Sequence, residues 1–572
     1  MQSILCKQCK KELPSPRPFE STHPTFLRSD YSPTDQELSY LKEVLEKEEE
    51  QLRWHENDIA TLRQRLEVLS AGKRTVEANI RQCRSVISTK WRLPVELWEH
   101  IFTTLCNSLH DYSFEVDDTG YKEPAAEMPP VVISQVCARW REIAHNCPKL
   151  WSSLSIEFND LSRNINFPLT TYLEKAKNYP LTIRLERYDQ GFDSDIFPPL
   201  ATQQSRDAWA FLAPNLFRCA RLTVKINNYN FPEVPFGLSF PNLTTFCEER
   251  YGKNGMELPD GINRPRWYWD AVRAAPKLTE AAIYCFHPTD SIPYQQLTSL
   301  SLLFICGGVE AEPLFLALST CTNLVSLKLN SLNDREMASN WPPQTIALPS
   351  LLYLSIDTKG TDLPRARHPN RDNILLSRFC LTLKMRSLID FSIECHVWPP
   401  HLTHMLEKNS SSLRQVEIAL LDDRLPDYTI RDHLLGLLQT LPRLCHLKLF
   451  FGEKRAGFTF HRFHGIPEDL TSVDDLFSTF LSKLELPGPY TLLPNLESLS
   501  LSFSQITLND EITESILNLV SRRLEASSPL KACCLTRRDS EIFTPSAPMV
   551  EKINVLKQQG VIVVVEGIGS SD

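Results

Sequence analysis

No stretch of the 572 residues approaches the roughly 18 consecutive apolar side chains of a membrane-crossing helix. The first residues, MQSILCKQCKKE, have no apolar segment of the secretory type. Basic excess is also missing. Sixty-one lysines and arginines stand against 70 acids, for a net charge of −9, whereas nucleic-acid binders display a basic domain or stripe. There is no GxxxxGK[ST] phosphate loop, no GxGxxG turn after a strand and no GxSxG elbow. These absences lead to an expectation of no enzyme, no nucleic-acid partner and no membrane partner. They also lead to the expectation of an intracellular chain, in cytoplasm, nucleus or both.

Metal-ligand spacing is equally scarce. Cys6 and Cys9 form a lone CxxC, and the next candidate ligands are His23 and then Cys83, too scattered for a four-ligand zinc site. HLTH at 401–404 and HRFH at 461–464 each pair two histidines without the HExxH carboxylate. No metal and no cofactor is expected. The 16 cysteines follow no regular spacing, and many sit in apolar runs such as LCHLKLF. That pattern suits buried free thiols in a reducing compartment better than a disulfide framework.

What is present comes in three blocks. Residues 1–34 are polar and punctuated by prolines, and read as a flexible tail. A heptad register then runs through 35–90. Its a positions are Leu38, Leu45, Leu52, Ile59, Leu66, Lys73, Ile80 and Ile87, and its d positions are Leu41, Glu48, His55, Leu62, Leu69, Val76 and Cys83. This predicts a coiled-coil helix of roughly 55 residues and ~80 Å. Ser32 or Thr34 is the candidate cap, with Glu37 completing a capping box on Thr34. Nine acids face three bases between Asp35 and Asp58, and eight bases face two acids between Ile59 and Arg92. That segregation suits self-association through 38–87 in antiparallel fashion. It also suits a single helix, whose dipole favours acids first and bases last.

The second block, 91–152, reads LPVELWEHIF and then VCARWREIAHNCPKLW. Pro94 is placed to open a helix and Glu96 to sit in its first turn. Leu97, Ile101 and Leu105 follow at i, i+4, i+8, widened by Trp98 and Phe102. Val136, Cys137, Trp140, Ile143 and Ala144 share one side of a second helix, with Leu150 and Trp151 packing back under it. So small a unit cannot bury all this surface, and it calls for a partner. Between the halves lies an acidic, proline-containing insertion, expected as a surface loop at about 107–130.

These residues resemble the F-box, which implies an all-α unit ahead of the repeats. The surrounding order is a heptad helix, the F-box-like pair, TYLEKAKNYPLTIRLE and then leucine-rich repeats. It is similar to the expanded F-box families of mushroom-forming (basidiomycete) fungi. The resemblance implies docking to a Skp-type adaptor and through it to a cullin, as the substrate-recognition subunit of an SCF-type ubiquitin ligase. It assigns adaptor binding to Leu93, Pro94, Glu96, Leu97, Ile101, Phe102, Val136, Cys137 and Trp140. The alternative is a non-ligase scaffold that uses the same helix and repeats.

The third block, 153–566, repeats the phrase L-x-x-Φ-x-Φ. It occurs at Leu278–Ala281–Ile283, Leu297–Leu300–Leu302, Leu324–Leu327–Leu329 and Leu351–Leu354–Ile356. It returns at Leu388–Phe391–Ile393, Leu413–Val416–Ile418, Leu444–Leu447–Leu449 and Leu496–Leu499–Leu501. This predicts an irregular α/β repeat solenoid, a leucine-rich-repeat horseshoe whose strands stack to bury a shared core. Helical spacers are expected at PLFLALSTC, DHLLGLLQTLP and DEITESILNLVSRRL, and a closing helix and strand at MVEKINVLKQQGVIVVVEG. The run FTFHRFHGIP reads as an insertion, and GINRPRWYWDAVRAAP as a helix on the convex side. Tyr353 is a candidate contact for an unknown target protein on the concave side. Residues 567–572 are expected as a disordered tail.

Overall fold

The computed structural model describes residues 32, 34–87, 93–109, 112, 114–116, 128–158, 164–187, 202–226, 237–249, 268–286, 292–306, 311–330, 332–333, 345–358, 374–395, 398–399, 401–420, 428–451, 481, 484, 492–503, 510–525, 530–537 and 546–567. The CxxC at Cys6 and Cys9, the HRFH motif, the FTFHRFHGIP run and the tail beyond Gly567 lie outside these residues. The chain divides into two compact units, Met1–Pro94 and Val95–Asp572.

The first unit holds one long helix, α1 (Asp35–Ile87). Its capping box closes at Thr34. The Thr34 amide donates to Glu37 Oε2 at 2.8 Å, and the Glu37 amide donates to Thr34 Oγ1 at 3.4 Å. Lys47 pairs with Glu43 at 2.7 Å and Lys73 with Glu77 at 3.7 Å, both at i, i+4. The heptad stripe faces solvent: Leu45 is 58 % exposed, Leu66 65 % and Leu69 71 %.

The second unit opens with three short helices, α2 (Val95–Leu109), α3 (Pro129–Val136) and α4 (Ala138–Asn146). Among the described residues this unit also holds a sixteen-stranded sheet, whose first strand lies between α2 and α3. Its first strands are β1 (Phe114–Val116), β2 (Ser153–Glu157), β3 (Leu181–Arg187), β4 (Cys219–Ile226), β5 (Thr245–Glu249) and β6 (Glu280–Cys285). From β1 to Ile562–Gly567 the main path pairs each strand with the next in parallel, and Leu332–Asn333 branches from Ser299–Cys306. Helices fill the connections, including Ala311–Thr320, Tyr428–Gln439, Asp510–Glu525 and Ala547–Gln558. A long helix followed by a many-stranded parallel sheet is the architecture of a repeat solenoid.

Period two explains the core. One inward column runs Phe114, Leu154, Ile183, Leu222, Phe246, Ala281, Leu300 and Leu327. It continues through Leu354, Phe391, Val416, Leu447, Leu499, Cys533 and Val563, and no member exceeds 4 % exposure. The leading leucines of the phrase, such as Leu324, Leu351 and Leu444, are buried as well. Each strand start is tied to the one before. Val325 donates to Thr298 O, Leu352 to Val325 O, Ile389 to Leu352 O and Arg414 to Ile389 O, all at 2.8–2.9 Å. The recurrent Asn-Leu dipeptides add side-chain stitches. Asn323 Nδ2 donates to Gln295 O at 2.9 Å, and Asn495 Nδ2 to Pro442 O at 2.8 Å. Gly560, at φ +89°, ends the last helix, a conformation that costs glycine little.

Two expectations need correction. The insertion at about 107–130 is not a loop throughout. α2 continues to Leu109, and β1 pairs with β2, Phe114 opposite Leu154. Phe114 is fully buried with its ring on Tyr172, so an apolar side chain inside the polar insertion draws the segment into the sheet. For the same reason the sheet begins before residue 153, and the segment resembling an F-box is not all helical. The Trp-rich stretch, by contrast, carries the expected helix in its described part, Trp269–Arg273, with Tyr268 and Trp269 buried against Phe246.

One rung differs from the rest. Glu248 takes the inward place opposite Val224 that aliphatics hold elsewhere. Tyr268 OH donates to its carboxylate at 2.7 Å and the Tyr284 amide at 3.3 Å. The β5–β6 pairing extends over three residue pairs, against five on the β4–β5 side.

Candidate functional site

α2 is apolar on two adjacent stripes, and packing separates them. Trp98, Phe102 and Cys106, at i, i+4, i+8, turn inward and are buried. Trp140 from α4 completes a three-ring cluster, 5.0 Å from both Trp98 and Phe102, which are 5.5 Å from each other. Burial pushes the Cys106 thiol up to about 11. The neighbouring stripe, Leu97, Ile101 and Leu105, remains 40–49 % exposed, and Val95 is 44 % exposed.

α3 carries Ile133 and Ser134 inward and leaves Val132 and Val136 63 % and 58 % exposed. Cys137 adopts an extended backbone between α3 and α4, and its Sγ accepts the Trp140 amide at 3.4 Å. Arg141 Nε reaches back to Ser134 O at 3.0 Å and fixes the angle between the two helices. Ile143 and Ala144 are buried, and Trp151 Nε1 donates to Ala144 O at 2.7 Å. Tyr172, from α5 (Asn166–Lys175), lies between Trp151 and Phe114 at 4.9 and 5.0 Å. This aromatic seam joins the small helical unit to the sheet.

The nine residues assigned by resemblance therefore separate by role. Glu96, Leu97, Ile101 and Val136 are exposed. Phe102 is core, Trp140 is a half-buried member of the ring cluster, and Cys137 is a half-buried cap. Leu93, half-buried, and Pro94, exposed, end the first unit. Val95 and Val132, absent from that set, are exposed apolar residues on the same two helices; periodicity alone does not separate them from core.

The open face of the sheet is polar and carries a charged network near its N-terminal end. Arg184 pairs with Glu186 and, at 3.1 Å, with Glu249, while Lys225 lies 3.6 Å from Glu186. The Arg184 guanidinium rests 5.9 Å from the ring centre of Tyr112, which comes from the insertion. Burial works against the Arg184 charge, but Glu186 and Glu249 outweigh it and hold the group above its ordinary range. Burial also raises the Tyr112 hydroxyl, with Thr223 and Arg184 drawing it partly back. Further along, Tyr353 is 48 % exposed and stands in register with Asp390, and Gln415 with His446. Burial, then Glu417, raises the Asp390 carboxyl. The charged residues alternate with apolar ones along each strand, a signal present in the sequence. Their meeting across strands depends on register.

Among the described residues no three His, Cys, Asp or Glu side chains gather to hold a metal ion. His401 and His404 lie at the start of the helix Leu402–Lys408, with His404 3.9 Å from Glu407. Also among the described residues, no helix is long and apolar enough to cross a membrane. Buried thiols are frequent; burial raises those of Cys219, Cys321, Cys380, Cys395 and Cys533 to about 12.

No family model matches the chain, and no curated protein does. Among solved structures, InlP of Listeria monocytogenes is similar at 11 % identity and a TM-score of 0.19, over 62 % of this chain and 66 % of that one. The assignment as a solenoid rests on the strand ladder.

Proposed function

We infer that the protein is a substrate-recognition adaptor of an SCF-type ubiquitin ligase. The helices α2–α4 form an F-box that docks a Skp-type adaptor, and the open face of the sheet binds a target protein. The observation that carries this reading is the division of α2. Its Trp98–Phe102 stripe closes a core with Trp140, while Leu97, Ile101 and Leu105 keep 40–49 % of their surface exposed. An apolar stripe left open beside a completed core supports a docking surface. Binding energy at such surfaces concentrates in a few apolar side chains. The polar sheet face, with its Arg184 network and Tyr353, supports protein recognition on the other side of the molecule's function.

Leu97→Asp combined with Ile101→Asp is expected to abolish co-purification with a Skp-type adaptor and cullin, a loss of at least about a hundredfold in affinity. The melting of the repeat array stays unchanged, because both side chains are exposed. Equal adaptor binding by parent and variant overturns the reading. The scaffold alternative draws its support from β1, which ties the segment between α2 and α3 into the sheet. Absence of adaptor and cullin peptides from a pull-down of the parent chain favours the scaffold.

A further inference from the structure

We propose that the protein is a homodimer held by α1, the two helices running antiparallel in one register fixed by Lys73 and Glu48. This does not depend on what α2 or the sheet binds. Three observations on α1 lead to it.

The first is exposure. Among the described residues of its unit, α1 is the one element of secondary structure. Its a/d stripe, Leu38 to Ile87, lies in solvent for most of its length, with Leu69 71 % and Ile87 74 % exposed. A heptad stripe this long is the seam of a coiled coil, and it implies a second helix.

The second is the identity of the polar seam positions. In a parallel pair each a residue meets its own copy, and so does each d residue. Lys73 would face Lys73, Glu48 would face Glu48 and His55 would face His55. In an antiparallel pair a meets d. One register sets Lys73 against Glu48 of the second copy, and by symmetry Glu48 against Lys73. The same register sets Leu38 against Cys83, Leu41 against Ile80 and Leu45 against Val76. Leu52 then meets Leu69, Ile59 meets Leu62, and His55 meets Leu66. Sliding by one heptad in either direction breaks the charge pair. Glu48 then faces Leu66 or Ile80, and Lys73 faces Leu41 or His55. An interfacial charge without its partner is costly, so the alternatives are disfavoured.

The third is the flanks. In antiparallel coiled coils e faces e and g faces g across the seam. The register chosen from the core alone brings Asp35 to Arg84, Lys42 to Glu77 and Glu56 to Arg63 at e. It brings Asp58 to Arg65 at g. All four charged pairs are of opposite sign. The core and the flanks thus select the same alignment independently, and the segregation of acids and bases along α1 is its large-scale expression.

The test uses the full chain. Sedimentation equilibrium is expected to give a dimer at low micromolar concentration. Lys73→Glu sets acid against acid twice per dimer and should weaken association on the order of a hundredfold. Glu48→Lys should do the same. The double exchange, Glu48→Lys with Lys73→Glu, restores the opposed pairs and should return association to within about threefold of the parent. Direction is read separately. Leu38→Cys under mild oxidation should cross-link to the exposed Cys83 of the second copy, identified by peptide mapping. A monomeric parent at tens of micromolar overturns the proposal. So does a double exchange as weak as the single ones, or a cross-link between two residues 38.

Discussion

The sheet and α1 both carry apolar residues at strict spacing, yet the two regions treat them oppositely. In the sheet, the column from Phe114 to Val563 is closed by its neighbours in the same chain, and every member is buried. Along α1 most of the column from Leu38 to Ile87 is exposed. The physical difference is where the next copy of the pattern comes from. A period-two phrase recurring every few tens of residues gives each strand a neighbour, because a connection of that length folds back alongside. For α1, a heptad helix of 53 residues, the described residues of its unit offer no second helix, and the complement proposed above lies in another copy. α2 falls between these cases, with one stripe closed inside and one left open.

That contrast can be broken at a rung. Leu447 is fully buried between Val416 and Leu499. Leu447→Ala should cost about 3–5 kcal/mol through lost contacts and the cavity left behind. The check is chemical denaturation of the array followed by circular dichroism. A cost below about 1 kcal/mol would mean that the column is not tightly packed.

A somewhat smaller effect is expected at Arg523, buried at the base of the helix Asp510–Glu525. It donates to Leu484 O at 3.2 Å, to Leu493 O at 3.0 Å and to Leu492 O, gathering carbonyls around Leu493, which sits at φ +54°. Burial lowers its pKa from the ordinary value. Arg523→Met keeps bulk and removes the donors, leaving carbonyls unsatisfied at a cost of about 3 kcal/mol. If the array melts as the parent does, those bonds are not holding the turn.

The smallest effect belongs to the helical unit. Burial, then Lys175 and Arg141, lowers the His145 pKa. A histidine depressed in the folded state favours the neutral form. Its contribution is full above the unfolded value and is lost as pH falls through the folded one. Between about pH 7.5 and pH 5 the parent should therefore lose more stability than His145→Gln. Denaturation midpoints at the two pH values measure it, and parallel losses in both proteins would exclude His145 as the titrating group.

The strand phrase was legible because alternation and leading leucines survive unequal spacing, so Leu354, Phe391 and Leu447 could be placed inward without knowing their partners. The capping box at Thr34 and Glu37 was legible because all its parts lie within one turn. β1 was not, since three residues inside a polar insertion carry no period; Leu154 across the ladder and the Tyr172 ring make Phe114 a core residue. On α2, Leu97–Ile101–Leu105 and Trp98–Phe102–Cys106 are equally apolar runs at the same spacing. Which one is core depends on Trp140, some forty positions away, and that assignment needs the fold. The Arg184–Glu249 pair was hidden for the same reason, its members being 65 residues apart.

Glu248 has a mechanical implication. In a stack where each rung holds only its neighbours, the interior seam with the fewest paired residues is the weakest point inside the array. The shortened β5–β6 seam, bridged by a carboxylate instead of a full ladder, is such a fault line. It divides the array into a leading block that carries the Arg184 network and a trailing block that carries Tyr353, each able to yield without unravelling the other.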